Sequence, residues 1–165
     1  MKPSNEGQPE YFFLFRLVQW AAVALFLGRA IEHLFWDAPF RALLWDEAWM
    51  SGIVEQILGM RWEDYITNEQ VDLRIEQVIR IHGWFYLCCA FLALAIRRLP
   101  IWLSKVLYLG SASLVFLSFL FFKEKFYSIG QFLEYTLQFS TPVFLVWLYR
   151  DQHLSNRLLL AMKIA

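Results

Sequence analysis

Four long apolar segments constrain this chain more than any other feature of its sequence. They cover residues 11–36, 79–96, 101–122 and 126–149. Each is close to the roughly 20 residues that an α-helix needs to cross the hydrocarbon core of a bilayer. Because a helix satisfies its backbone N–H and C=O groups internally, it suits a segment surrounded by lipid. The sequence therefore predicts an all-α polytopic membrane protein, a bundle of four transmembrane helices.

The composition agrees with this interpretation. Apolar residues make up 59% of the 165 residues, against roughly 45–50% in soluble domains. A chain of this length is one domain by size. The residues before the first apolar segment contain no basic stretch, and no small-residue cleavage pattern follows that segment. We therefore expect a retained helix rather than a cleaved signal peptide.

The distribution of charge predicts an orientation. If the N-terminus, the loop around Arg97 and Arg98 and the C-terminal tail share one side, that side has five excess positive charges and the other side five excess negative ones. Short loops rich in Lys and Arg face the cytoplasm. We therefore predict that both termini lie inside, in the plasma or inner membrane of a bacterium. No concentrated basic patch points to a nucleic-acid partner.

The connection between the first two spans, residues 37–78, is too long for a structureless loop in a compact domain. Asp37 and Pro39 predict a helix start. The sequence "FRALLWDEAWM" then places Phe40, Leu43 and Leu44 on one side of an amphipathic helix. This insertion lies either in the head-group layer or on the mouth of its own bundle, and both alternatives stay open. Its acidic character also makes it a candidate docking surface for a membrane-protein partner.

Signals at the ends of the other helices complete the predicted architecture. The sequence "TNEQ" fits a capping box with Thr67 as the N-cap and Gln70 three residues later. We expect the helix that it opens to run without interruption to Arg98. Pro142 predicts a kink near Gln138 in the fourth span. Residues 150–165 are expected to form a short helix on the inner surface.

Ionisable and polar residues within the apolar segments mark the candidate site. An ionisable side chain is unfavourable in hydrocarbon, so its presence there suggests a function. Helical spacing gives each span one polar face, and lipid penalises these faces unless they meet inside the bundle. In an antiparallel bundle the end of the first span adjoins the starts of the second and fourth. The predicted ligand-binding residues are Arg29, Glu32, His33, Arg80, His82, Tyr86, Glu134 and Gln138.

Two interpretations of this cluster need no haem; quinone is the possible cofactor in the second. In one, the polar residues only bridge the helices, and Arg29 with Glu32 forms a simple ion pair. In the other, the cluster binds a small polar or quinone-like head group, with Trp36, Trp84 and Tyr86 as aromatic walls.

A third interpretation assigns His33 and His82 as axial ligands of a haem b held between two helices. A dedicated metal site is not indicated, because the sequence contains no H-x-x-x-H or E-x-x-H spacing. The adjacent Cys88 and Cys89 form no C-x-x-C motif, and we interpret them as packing residues.

The stretch "LFRLVQWAAVALFLGRAIEHLF" in the first span resembles the opening of DoxX-like small membrane proteins. Those proteins begin with Arg-Leu, continue with an apolar helix containing Gly, and place a polar residue before an aromatic end. The resemblance implies a four-helix membrane bundle, often associated with thiol, sulfur or quinone redox chemistry. It carries over Arg29 and His33 as candidate site residues. The Trp-rich acidic insertion and the missing redox cysteine pair depart from that pattern.

These observations lead to one leading expectation about function. The chain is expected to be a non-catalytic membrane protein, accessory to a redox or transport process, with a polar pocket at the outer end of its bundle. The alternatives are the haem b subunit and a structural subunit that docks a partner through residues 37–78.

Overall fold

A computed structural model of the chain describes residues 8–36, 41, 44–125, 135–136 and 138–151. Its helices are α1 (Gln8–Phe35), α2 (Glu47–Ile53), α3 (Trp62–Ile66), α4 (Glu69–Ala95), α5 (Ile101–Ser104), α6 (Val106–Lys125) and the helical residues 138–151, here α7. The described residues contain no strand. The predicted all-α class is therefore confirmed for this part of the chain.

Two of the described helical segments are long and apolar enough to cross a membrane. They are Tyr11–Phe35 and Glu69–Arg98, and they correspond to the first two predicted spans. Ile101–Leu117 is a shorter apolar helix in the region of the third. The fourth predicted span is described only in part, and its residues 138–149 are helical.

The four apolar helices share one hydrophobic core. Its largest fully buried side chains come from α1, α4, α6 and α7 and include Phe15, Phe26, Tyr86, Leu107, Leu114, Phe139 and Leu145. Polar side chains lie inside the same core: Gln19, His33, Ser104 and Ser111 are all at most 4% exposed. The polar faces of the first and third spans therefore turn inward, as the helical spacing predicts.

Hydrogen bonds from two tyrosines define one end of the bundle. The Tyr11 hydroxyl donates to the Leu148 carbonyl at 2.6 Å, and the Tyr149 hydroxyl donates to the Leu99 carbonyl at 2.5 Å. The start of α1, the turn after α4 and the end of α7 therefore lie together. We call this the basic end, because Arg97 and Arg98 belong to it.

The insertion folds over the opposite end of the bundle, at the base of α4. After α2 the chain makes a π-helical turn, Val54–Leu58, and reverses at Gly59, whose φ of 64° favours glycine. A second small core then forms from Val54, Trp62, Tyr65, Ile75 and Ile79. We call this end, where α1 finishes and α4 begins, the mouth.

One predicted helix of the insertion is interrupted. The pattern around "FRALLWDEAWM" predicts a continuous helix, but Asp46 is extended, with φ −83° and ψ 109°. Its side chain accepts a hydrogen bond from the Ala48 N–H at 2.9 Å and so caps α2. An aspartate that caps a new helix competes with continuation of the old one, and here the cap wins. The predicted start at Asp37 and Pro39 lies outside the described residues.

The start and the end of α4 also differ from the prediction. Asn68, not Thr67, is the N-cap, and its side chain accepts from the Gln70 N–H at 2.9 Å. The Thr67 hydroxyl instead donates to the Glu63 carbonyl at 2.8 Å and closes α3. At the other end, Ile96–Arg98 form a 3₁₀ turn rather than a continuation of the α-helix. The predicted surface helix 150–165 is described only at residues 150 and 151.

Candidate functional site

The last two turns of α1 contain an ion pair and a buried imidazole. Arg29 and Glu32 are three residues apart and therefore adjacent on the helix, and their N and O atoms are 2.7 Å apart. Both side chains are half-buried. His33 is 3% exposed, and its Nδ1 lies 2.8 Å from the Arg29 carbonyl oxygen. Charge neutralisation and a backbone hydrogen bond thus allow all three residues to lie in this turn.

A glycine on α4 lets the two long helices meet closely beside His33. A Cβ atom at Gly83 would lie 2.7 Å from Leu34 Cγ and 3.2 Å from His33 Cβ. The missing side chain therefore sets the distance between α1 and α4 at this level. One turn deeper, the Tyr86 ring meets the His33 ring edge to face, with centroids 5.3 Å apart.

The Tyr86 hydroxyl connects this contact to a third helix. It lies 2.9 Å from the Ser113 hydroxyl on α6, within hydrogen-bond distance. Tyr86 itself is fully buried. His33, Tyr86 and Ser113, from α1, α4 and α6, thus form a connected layer of side chains below the mouth, which we call the floor.

A cleft of about 250 Å³ opens above this floor. Its polar lining combines an imidazole, two guanidinium groups and a carboxylate. Its apolar lining combines the aromatic end of α1 with one aliphatic residue of each long helix. The lining residues are His33, Leu34, Phe35, Trp36, Arg41, Glu76, Ile79 and Arg80.

The charges around the cleft are paired. Arg80 contacts Glu76 at 2.6 Å on the same helix, and Arg41 forms an ion pair with Asp72. The second pair ties the insertion to α4, because its residues lie 31 positions apart in the chain. The cleft therefore presents hydrogen-bond donors and acceptors of both charges, an arrangement that suits a polar, uncharged or zwitterionic group.

The structure brings some predicted site residues together and separates others. His33 and Arg80 line the cleft, Arg29 and Glu32 pair one turn away, and Tyr86 lies beneath. Glu134 lies outside the described residues. The other predicted positions fall away from the cleft: Gln138 is exposed on α7, Trp84 is exposed on α4, and His82 is half-buried with Nδ1 3.0 Å from the Val78 carbonyl.

Two charged residues of the cleft, Glu76 and Arg41, were not among the predicted ones. Glu76 carried a signal, because it precedes Arg80 by four residues in the order that favours an ion pair. Arg41 carried none, because its place depends on how the insertion returns to α4.

A larger cleft of about 480 Å³ lies between the insertion and the first turn of α4. Trp45 lines it on the insertion side, and Glu69, Asp72 and Leu73 line it on α4. Nearby Tyr65 is 4% exposed, and this burial raises its pKa above the ordinary value of 10.0. The insertion therefore has a compact interior of its own.

The packing of α1 against α4 does not fit a haem between His33 and His82. Leu34 and His33 press against Gly83 on the helix that carries His82, so no space for a porphyrin separates the two backbones there. His82 is also absent from the lining of the cleft that His33 borders. We therefore derive no haem chemistry from these residues. Within the described residues, no group of three His, Cys, Asp or Glu side chains is arranged to hold a metal ion.

No protein-family model matches this sequence, and no curated protein or solved structure does so either.

Proposed function

We propose that this chain is an integral membrane protein, accessory and non-catalytic, that holds the polar head group of a small ligand in the cleft at its mouth. All four apolar helices cross the bilayer in this proposal, with the mouth on the outer side and the basic end on the cytoplasmic side. The ligand is an amphiphile with a quinone-like head group. The proposal keeps the DoxX-like character that the first span suggested.

The observation that carries the proposal is the outward face of the bundle. The core of a soluble protein buries most of the large apolar side chains of its helices, whereas here such side chains point outward from every long helix. Phe13, Trp20, Phe91, Phe116 and Trp147 are each about 60–70% exposed, and they come from α1, α4, α6 and α7. A surface of this kind is stable in lipid.

The cleft supports the second part of the proposal. It opens where the apolar outer faces of α1 and α4 give way to paired charges, so an amphiphile can place its head in the cleft and its tail along the helices. Arg80 supplies hydrogen-bond donors for carbonyl oxygens, and Trp36 offers an aromatic wall.

Cysteine accessibility in intact cells tests whether the apolar helices cross the membrane. In a background where Cys88 and Cys89 are replaced by Ala, we expect Glu63→Cys to react with a membrane-impermeant maleimide. Arg98→Cys should react only after the membrane is opened, and Phe91→Cys should stay protected in both conditions. Equal labelling of Phe91→Cys and Glu63→Cys in intact cells contradicts the proposed span.

A matched pair of arginine variants tests the cleft. Arg80 lines the cleft, whereas Arg74 is exposed on the same helix and does not. With a short-chain ubiquinone as the probe, Arg80→Gln should weaken binding about ten-fold, the value of one hydrogen bond from a charged donor. Arg74→Gln should leave binding unchanged. Equal effects of the two substitutions contradict a site at this cleft.

A second candidate function follows from the surface of the insertion. Ile57 and Leu58 are 75% and 54% exposed, and they adjoin an acidic segment that includes Glu55 and Glu63. We propose that this surface docks a membrane-protein partner. Replacing Ile57 and Leu58 by Ser should then reduce the mass of the native complex without unfolding the chain. An unchanged complex contradicts this candidate.

A further inference from the structure

The basic end of the bundle carries a concentration of positive charge. Among the side chains that the structure describes there, five cations stand against the single carboxylate of Asp151. They come from α1, the turn after α4, the residue that follows α5, and α7. The tyrosine hydrogen bonds hold α1, the turn after α4 and α7 together. The cations are Arg16, Arg97, Arg98, Lys105 and Arg150.

Two of these arginines share one aromatic ring. The Arg97 guanidinium carbon lies 4.9 Å from the centroid of the Phe12 ring and 4.4 Å from that of Phe15. The Arg16 guanidinium carbon lies 5.3 Å from the centroid of Phe12. Cation–π contact of this kind holds a guanidinium group in place while its N–H groups stay available for hydrogen bonds. One of these N–H groups of Arg16 donates to Gln19 Oε1 at 3.1 Å.

The two arginines differ from those at the mouth in their counter-charges. At the mouth, Arg29, Arg41, Arg61 and Arg80 each form an ion pair with a carboxylate. Within the described residues, neither Arg16 nor Arg97 forms such a pair. Two like charges over one ring repel each other, and an anion between them relieves that repulsion.

We propose that Arg16 and Arg97 form a binding site for the phosphate of an anionic phospholipid. A guanidinium group matches phosphate through paired hydrogen bonds, which an ammonium group cannot reproduce. Phe13 and Leu17 lie beside Arg16 on α1 and are 69% and 55% exposed, so they offer an apolar surface for the acyl chains. This site is separate from the mouth cleft, and it rests on the proposed membrane insertion.

The phosphate group alone does not distinguish a lipid from a free anion, so the test includes both sources. The purified full-length protein is reconstituted in vesicles of phosphatidylcholine with and without phosphatidylglycerol. Lipid retained after transfer to detergent is then measured by native mass spectrometry. We expect phosphatidylglycerol to be retained in preference to phosphatidylcholine. Inorganic phosphate in excess should not displace it, because phosphate lacks the acyl chains. Displacement by phosphate contradicts a lipid site.

Substitutions at Arg16, Arg97 and Arg98 distinguish a defined phosphate site from general electrostatic attraction to the anionic lipid. Arg97→Gln and Arg16→Gln should each lower retention of phosphatidylglycerol about ten-fold, the value of one hydrogen bond from a charged donor to the phosphate. Arg98→Gln removes the same charge at the same end but no phosphate contact, and because exposed charges are screened at about 0.15 M salt it should change retention by less than about two-fold. Arg97→Lys keeps the charge but loses the planar fork, and it should resemble Arg97→Gln. If Arg98→Gln equals Arg97→Gln, only a diffuse positive field remains and the site is rejected.

The outcome is distinguishable from a failure of the proposed function. Loss of membrane insertion appears in the cysteine labelling of Phe91→Cys, which does not depend on lipid head groups. A correctly inserted protein that retains both lipids equally rejects the lipid site alone. A variant that elutes as aggregate is set aside, and Arg16→Gln and Arg97→Gln serve as independent tests because they lie on different helices.

Discussion

His33 on α1 and Tyr86 on α4 meet edge to face, with ring centroids 5.3 Å apart and ring planes at 75°. The Tyr86 hydroxyl reaches Ser113 on α6, and His33 Nδ1 reaches the Arg29 carbonyl. The imidazole is thus held by contacts on two sides before any ligand arrives. Preorganisation of this kind lowers the cost of ordering a site on binding.

Replacing Gly83 by Ala should destabilise the protein, because the added Cβ would lie 2.7 Å from Leu34 Cγ. We expect a loss of about 1–3 kcal/mol in the free energy of unfolding, typical of overpacking. Thermal unfolding in detergent measures it. Gly28→Ala is the matched control on α1, since a Cβ there meets nothing within 4 Å. That control should be neutral or stabilising by up to about 1 kcal/mol. Equal behaviour of the two variants would contradict close packing at Gly83.

Replacing Gln19 by Leu should weaken the contact between α1 and α4. The buried Gln19 amide donates to the carbonyls of Ala93 and Leu94, at 3.0 and 2.8 Å. At around 0.6 kcal/mol for each hydrogen bond between membrane helices, the expected loss is about 1 kcal/mol. Gln77→Leu, on the exposed face of α4, should have little effect. If both variants unfold at the same temperature, the Gln19 amide does not stabilise the helix pair.

The stability of the insertion should fall at alkaline pH through Tyr65. Burial raises the pKa of Tyr65 in the folded protein above the ordinary 10.0. Its contribution is therefore complete below about pH 10 and is lost as the pH rises through the folded-state pKa. Urea unfolding at neutral pH and at about pH 11 should show a larger loss for the wild type than for Tyr65→Phe, which has no ionisable hydroxyl. The same loss in both proteins would rule out this origin.

The two adjacent cysteines should differ in reactivity. Cys88 is exposed, whereas Cys89 is buried, and a Cβ at Gly110 would lie 2.9 Å from the Cys89 sulfur. In detergent, N-ethylmaleimide should modify one thiol for each chain. Cys88→Ser should abolish this modification and Cys89→Ser should preserve it, as read by intact mass. Modification of both thiols in the folded wild type would show that α4 and α6 separate readily.

Local patterns predicted the inward faces of the helices. Gln19, His33, Tyr86 and Ser111 are buried where helical spacing had placed them, because that spacing depends only on the geometry of each helix. Four long apolar runs were likewise enough to predict the all-α class. Membrane insertion, the ligand and the resemblance of the first span remain predictions.

Competition between neighbouring groups was not predictable from the sequence. Thr67 and Asn68 are both good N-caps, and the choice of Asn68 depends on the Thr67 hydroxyl finding the Glu63 carbonyl. Arg41 reaches the cleft because the insertion folds back so that this residue pairs with Asp72. Such choices depend on the packed chain, and periodicity within a single segment contains no information about them.

The paired acceptors of Gln19 have a consequence for the mouth. Ala93 and Leu94 lie in the last α-helical turn of α4, and one amide from the neighbouring helix donates to both of their carbonyls. Sliding α1 along α4 by a single turn would strand that amide among apolar groups. The hydrogen bonds of Gln19 therefore fix the register of α1 against α4. They thereby also set the position of His33 at the mouth, roughly 21 Å further along α1 at 1.5 Å per residue.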